Sequence, residues 1–205
     1  MNQDERSERS RAAILGAALQ LFSHQGYRGT AIRDIADKAG VSTGSVYHHF
    51  SDKESIFETL LGEFWRAADA PDFPLNRVMT EGAFPLNVEL IGCAAREVIS
   101  TWRSHVALIY VDVVEFDGRH IRKFYADVAD RCARLIEQNR DVMRLDEVIR
   151  PGVPPATALL MTIRIFTYFF VVELLFNVPN SYGMSSDEAV AAIADILKHG
   201  MLRQS

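Results

Sequence analysis

An all-α fold is what the sequence predicts: an N-terminal three-helix head built on a helix-turn-helix, followed by a larger C-terminal helical domain. Three observations carry this. Apolar residues recur at helical spacing in segment after segment from Arg11 to Met201, with no series of alternating strands. The stretch from Thr30 to Glu54 breaks into two short helices meeting at a glycine and then a capped third. Late in the chain, Ala156 to Phe176 is apolar on every side, as a buried bundle helix must be.

The opening helix is expected over Arg11 to Gln25, with Ile14, Ala18, Leu21 and Phe22 on one face. Thr30 then offers a hydroxyl N-cap to a helix over residues 31–39, whose Ile32, Ile35, Ala36 and Ala39 fall at i, i+3, i+4 and i+7. Gly40 stops it, where a left-handed backbone costs glycine little. Ser42 or Thr43 caps a second helix of barely two turns, with Val46 and Phe50 inward and Ser45, Tyr47 and His48 outward. Ser51 and Glu54 have the spacing of a capping box that starts a third helix, residues 53–70, with Lys53 in its first turn and Ile56, Phe57, Leu60, Leu61 and Phe64 facing inward. A short helix rich in hydroxyl, phenol and imidazole groups suits phosphate oxygens and base edges, which are read by donors small enough to enter a groove.

These residues resemble the TetR family of bacterial transcriptional regulators. The likeness rests on Ala17, Leu21, Phe22, Gly26, Tyr27, Thr30, Ile32, Ile35, Ala36, Ala39, Gly40 and Val41, on the run from Ser45 to Phe50, and on Lys53 and Leu60. It covers residues 8–68, with the helix-turn-helix at about 31–50. It implies a homodimeric DNA-binding regulator, a repressor released by a small-molecule effector; the unpaired cysteines and polar N-terminus point to a cytoplasmic address. Residues 69–205 would be the effector-binding and dimerisation domain, and no cofactor is implied. The expected DNA contacts are Arg28, Thr30, Ser42, Thr43, Gly44, Ser45, Tyr47, His48 and Lys53. Lys53 is singled out because a cation at a helix N-terminus opposes the macrodipole unless an anion lies nearby.

Charge qualifies the picture. The net charge is −5, yet residues 1–55 hold seven basic and seven acidic side chains, so the rest carries the deficit. An acidic body would be held off DNA while a neutral head approaches. The same balance suits the alternative of a helical protein-interaction adaptor that does not bind DNA. A helix-bundle enzyme is the weaker alternative: Gly40 to Gly44 spells G-x-S-x-G, but that nucleophile motif needs a strand before it. His48 and His49 are adjacent, about 100° apart on a helix, and make no metal pair. No metal ligands are assigned.

Past the head, Pro71 to Pro85 reads as a loop holding at most a short helical turn. Helices follow over 86–103 through Leu86, Leu90, Cys93, Ala94 and Ile99, over 104–116, and, beyond Gly118, over 119–140. Pro151 to Pro155 is a hard stop. Arg164 and Glu173 inside the apolar span argue for a protein interface, since each charge in lipid costs about 2.5 kcal/mol or more. Ser185 and Glu188 cap a last helix. Residues 156–176 and 186–202 of two chains would form the dimer's four-helix bundle. Cys93 and Cys132 read as buried free thiols, and the polar N-terminus has the composition of no secretory signal. Effector contacts are expected among Phe64, Trp65, Trp102, His105, Tyr110, Glu115, Phe124, Arg164 and Phe169, the polar ones orienting a ligand in an aromatic cavity.

Overall fold

A computed structural model describes residues 3–81, 84–141 and 143–203, so residues 82 and 83 of the expected loop lie outside it. Among the described residues there is no strand, only an isolated antiparallel bridge between Ile149 and Leu202. The chain forms two compact units. The first joins the residues up to 67 with 104–123; the second joins 68–103 with 124 onward. The expected division at 68/69 therefore meets a difference: residues 104–123, read as part of the body, fold with the head.

In the first unit α1 spans Gln3–Gln25, α2 Ile32–Ala39 and α3 Thr43–His49. Helix α4 covers Lys53–Asp69 and α7 Arg103–Phe116. Helix α1 begins eight residues before the expected start because Gln3 to Ser10 is polar and carries no apolar period to read. Its buried face is Ile14, Leu15, Ala17, Ala18 and Phe22. The core is aromatic: Phe22, Tyr27 and Phe57 are mutually 5.6 Å apart by ring centroid, and Phe116 of α7 adds contacts of 4.6 Å to Tyr27 and 5.1 Å to Phe57. Truncating a fully buried ring such as Phe57 costs about 3–5 kcal/mol.

Two expected caps move by one residue. The N-cap of α2 is Ala31, whose N–H donates to Asp34 Oδ2 at 2.9 Å. Thr30 is instead 1% exposed, its hydroxyl donating to the Gly26 carbonyl at 2.8 Å. At α4, the Ser55 N–H donates to Asp52 Oδ1 at 2.7 Å, so Asp52 caps in place of Ser51 and leaves Glu54 free of the box. Gly40 behaves as expected, with φ +68°.

In the second unit α5 spans Pro74–Thr80, α6 Val88–Thr101 and α8 Arg122–Asn139. The one-turn α9 covers Leu145–Val148 and α10 covers Pro155–Phe170, continued by a π-helical turn, Val171–Leu175. Helix α11 is Ser186–Met201, with the expected Ser185/Glu188 capping box in place. The loop reading of 71–85 understated α5, because Pro74 sits at a first-turn position that tolerates proline. On α6 the buried face is Val88, Ile91, Gly92, Ala94, Ala95, Val98 and Ile99, while Leu86, Leu90 and Cys93 are exposed. Ala94 and Ile99 of the expected stripe are buried as expected, whereas Leu86, Leu90 and Cys93 are corrected to the exposed side; Cys132 is buried. Gly92 lets α6 pass close to its neighbours, since a Cβ there would lie 2.9 Å from Val190 and 3.0 Å from Phe166.

Candidate nucleic-acid interface

Helix α3 is seated by two anchors and presents the rest. Val46 and Phe50 are buried, 0% and 6% exposed, while Thr43, Gly44, Tyr47 and His48 are exposed on one contiguous face. Ser42 caps the helix by accepting the Ser45 N–H at 3.1 Å. Ser45 is half-buried, its hydroxyl 3.1 Å from that of Ser10 on α1, so it fixes the reader more than it offers itself to a partner. The sequence reading missed Ser10, which lies in the stretch of α1 without apolar period. A Cβ added at Gly44 would meet nothing closer than Ser42 Oγ at 3.7 Å, so bare backbone is open to close approach. Tyr47 is 58% exposed. Phenol, imidazole, hydroxyl and bare peptide on one narrow helix make a donor-rich ridge fitted to a polyanion's groove.

The residues expected beside it divide. Arg28 has a side chain 80% exposed, its guanidinium loosely held by Glu115, 4.0 Å from the carboxylate and donating to the backbone carbonyl at 3.4 Å. Thr30 is buried and hydrogen-bonded within its own turn, which corrects its expected part as an open phosphate anchor. Lys53 is also committed inward: its ammonium donates to the carbonyls of Tyr27 and Thr30, both at 2.7 Å, and lies 4.1 Å from the Tyr27 ring centroid. Burial lowers its pKa from the ordinary lysine value. Two carbonyls replace the anion that its position at a helix start calls for.

Glu115, expected at an effector, serves as a brace within the first unit. Its carboxylate accepts the N–H groups of Tyr27 at 2.9 Å and Arg28 at 2.7 Å. It thus closes the turn between α1 and α2, where Gly26 has φ +79°. The other expected effector contacts are split. Phe64, Trp65, His105 and Tyr110 belong to the first unit, where the Phe64 and Trp65 rings are 5.3 Å apart and His105 Nε2 lies 3.6 Å from Glu63. Trp102, Phe124, Arg164 and Phe169 belong to the second, where Phe169 packs on Phe170 and Tyr182 and Arg164 is exposed. Neither unit by itself gathers the nine. An open cleft in the first unit is lined by Leu15, Leu19, Leu60 and Glu63, none of them among those nine.

One group of side chains could hold a metal. Donor atoms of Glu54, Glu58 and His120, all in the first unit, lie within 4.8 Å of one another. The pair at i and i+4 was visible in the sequence; the histidine, more than sixty positions away, was not.

Comparison with known proteins places this geometry. Residues 14–60 match the model of "Bacterial regulatory proteins, tetR family". The HTH-type transcriptional repressor KstR2 of Mycobacterium tuberculosis is 39% identical over 89 residues, which is 40% of this chain and 44% of that repressor. The aligned part thus spans less than half of that relative. Among solved structures, NalD, the secondary repressor of the MexAB-OprM multidrug efflux pump in Pseudomonas aeruginosa, superposes with a TM-score of 0.67. That match covers 97% of this chain and all of NalD at 22% identity. The ketosteroid transcriptional regulator KstR2 of M. tuberculosis gives 0.59 over 95% of both chains at 21% identity. At such identities the structural likeness speaks for the fold.

Proposed function

The chain belongs to the TetR family of bacterial regulatory proteins through its head, and from that premise we propose that it is a cytoplasmic, DNA-binding transcriptional repressor acting as a homodimer. The observation that carries the reading is the exposed ridge of α3, with Thr43, Gly44, Tyr47 and His48 on one side and Val46 and Phe50 locking the other. In this proposal α3 enters the major groove. Tyr47 and His48 contact phosphate and base edges, Thr43 and Gly44 approach the backbone closely, and Arg28 reaches a flanking phosphate. Two-fold symmetry then requires a pseudo-palindromic operator with half-sites about 34–36 Å apart, or a multiple of that.

The dimer is supported by the second unit's apolar surface. Met161 and Tyr168, one heptad apart on α10, are 53% and 62% exposed, and Ile196 on α11 is 70% exposed. The span Pro155–Leu175 is long and apolar enough to cross a bilayer, but Arg164 and Glu173 within it fit a protein partner better. A small molecule bound in the body would release DNA by favouring a conformer whose two readers are wrongly spaced, in proportion to its preference for that conformer. A gel shift with duplex from upstream of the chain's own gene tests the reading. The wild type should retard a fragment and Tyr47→Ala should lose most of that affinity with its melting temperature unchanged. Equal retardation by both proteins would remove α3 from the interface.

A further inference from the structure

We propose that Glu54, Glu58 and His120 form a binding site for a divalent transition metal of the zinc class, with Asp112 holding the histidine from behind. The site lies wholly in the first unit, between the opening turns of α4 and the turn after α7.

The histidine is poised as a ligand. Its ring is wedged between Phe57 and Phe116, at 5.9 and 4.8 Å by centroid, and its side chain is 12% exposed. Nδ1 faces the acceptor-only Asp112 Oδ1, and the tautomer that places the proton there leaves Nε2 its lone pair, 3.3 Å from Glu54 Oε1. That lone pair accepts from Arg119 Nε at 3.3 Å. A carboxylate behind one imidazole nitrogen fixes the tautomer and raises the basicity of the other, which is how metal-ligating histidines are held.

Spacing then separates a metal site from a simple ion pair. His120 Nε2 stands 3.3 Å from Glu54 Oε1 and 3.4 Å from Glu58 Oε1. Charge-assisted N–H···O bonds close to about 2.7–2.9 Å, so these gaps are loose for direct pairing. Ligands placed about 2.0–2.1 Å from a tetrahedral centre are separated by about 3.3–3.4 Å, which is the spacing of both histidine–glutamate pairs, and the two carboxylates lie within 4.8 Å of each other. Water would complete the coordination as a fourth ligand. One imidazole with two carboxylates selects transition dications over Mg2+ and Ca2+, which prefer oxygen alone.

Charge supplies an independent reason. Asp112 is fully buried, and its Oδ2 has no hydrogen-bond partner among the described residues. A buried carboxylate facing a neutral imidazole keeps an uncompensated charge, and a metal on the far nitrogen offsets it. Among the described residues, three carboxylates converge here beside the Arg119 guanidinium, which bonds Glu54 and stacks on Phe116 at 4.9 Å. That guanidinium, with a side chain 53% exposed, stands where the metal would bind and can swing into solvent. Metal and Arg119 therefore compete for one position.

The test is titration of tag-free, full-length protein with Co2+ and Zn2+, followed by calorimetry and by visible absorption of the cobalt form. The proposal expects one ion per chain and cobalt bands of tetrahedral intensity. Glu58→Gln, at a site 56% exposed and harmless to folding, should weaken binding by at least about tenfold, with His120→Gln doing the same. Arg119→Met should tighten it, and Glu63→Gln, beside His105, should leave it unchanged. Absence of binding by the folded wild type would overturn the site and leave a hydrogen-bonded network of Asp112, His120, Glu54 and Arg119. Binding that survives both Glu58→Gln and His120→Gln would overturn it as well, placing the ion elsewhere. None of these readouts depends on DNA.

Discussion

Replacing Lys53 with methionine separates two accounts of one side chain. Methionine keeps the apolar stem and removes the ammonium, so the Tyr27 and Thr30 carbonyls lose donors now at 2.7 Å. A hydrogen bond from a charged donor contributes about 1.5–3 kcal/mol net, giving about 3–6 kcal/mol for two. Tyr27 O keeps a second donor, the Thr30 N–H at 3.2 Å, and water can reach part of the site, both of which reduce the loss. The ammonium over the Tyr27 ring at 4.1 Å adds about 0.5–1 kcal/mol. A loss of about 2–4 kcal/mol results, which for a chain of this size lowers Tm by about 5–15 °C. Circular dichroism melting measures it. Operator affinity against salt, taken below the variant's transition, measures the rest: the log–log slope should equal the wild type's, because no phosphate contact is removed. A variant that melts within about 2 °C of wild type, and whose slope falls by about 0.9 per subunit, would place Lys53 on DNA and refute this reasoning.

Three further outcomes follow from the same geometry. Glu115→Gln turns an amide N–H toward one of the two backbone N–H groups it now accepts, so it should destabilise by about 1–3 kcal/mol in urea denaturation; a change under about 0.5 kcal/mol would mean that Glu115 is no brace. Gly92→Val drives a branched side chain into Val190 and Phe166 and should cost about 1–3 kcal/mol or more, read from the same curves, whereas neutrality would show that α6 does not pass so closely. Desolvation is the largest influence on Glu89 and raises its pKa, but the Lys198 hydrogen bond at 2.6 Å, its own backbone N–H and the Lys198 charge together outweigh it and leave the carboxyl below its ordinary 4.5. Its stabilisation is then present above pH 4.5 and lost as pH falls through the depressed folded value, so the advantage of wild type over Glu89→Gln should shrink below pH 4.5 and persist at pH 7.

What was legible in the sequence was what the backbone decides locally. Gly40 at a left-handed stop, Ser42 as cap and the Ser185/Glu188 box each involve partners within a few residues, and Val46 and Phe50, the seated side of α3, follow from their own i, i+4 spacing. The spacing rule landed a residue off twice: the Asp52 carboxylate displaced the neighbouring Ser51 hydroxyl, and the Thr30 hydroxyl turned back to the Gly26 carbonyl, leaving Ala31 as cap. Roles set by distant partners were out of reach. Lys53 is fixed by carbonyls 23 and 26 positions away, and Glu115 by amides 87 and 88 away, so both look like free charges in the sequence. Leu86, Leu90 and Cys93 were misassigned for another reason: with apolar residues on most of the α6 surface, period alone cannot choose between neighbouring faces.

The claim that α3 of a dimer reads duplex DNA is tested most directly by selecting genomic fragments with the purified protein at low salt and sequencing what is retained. Enrichment of a pseudo-palindrome with half-sites about one helical turn or a multiple apart, lost with Tyr47→Ala, is the predicted result. Retention of no fragment above background by a folded protein would contradict it.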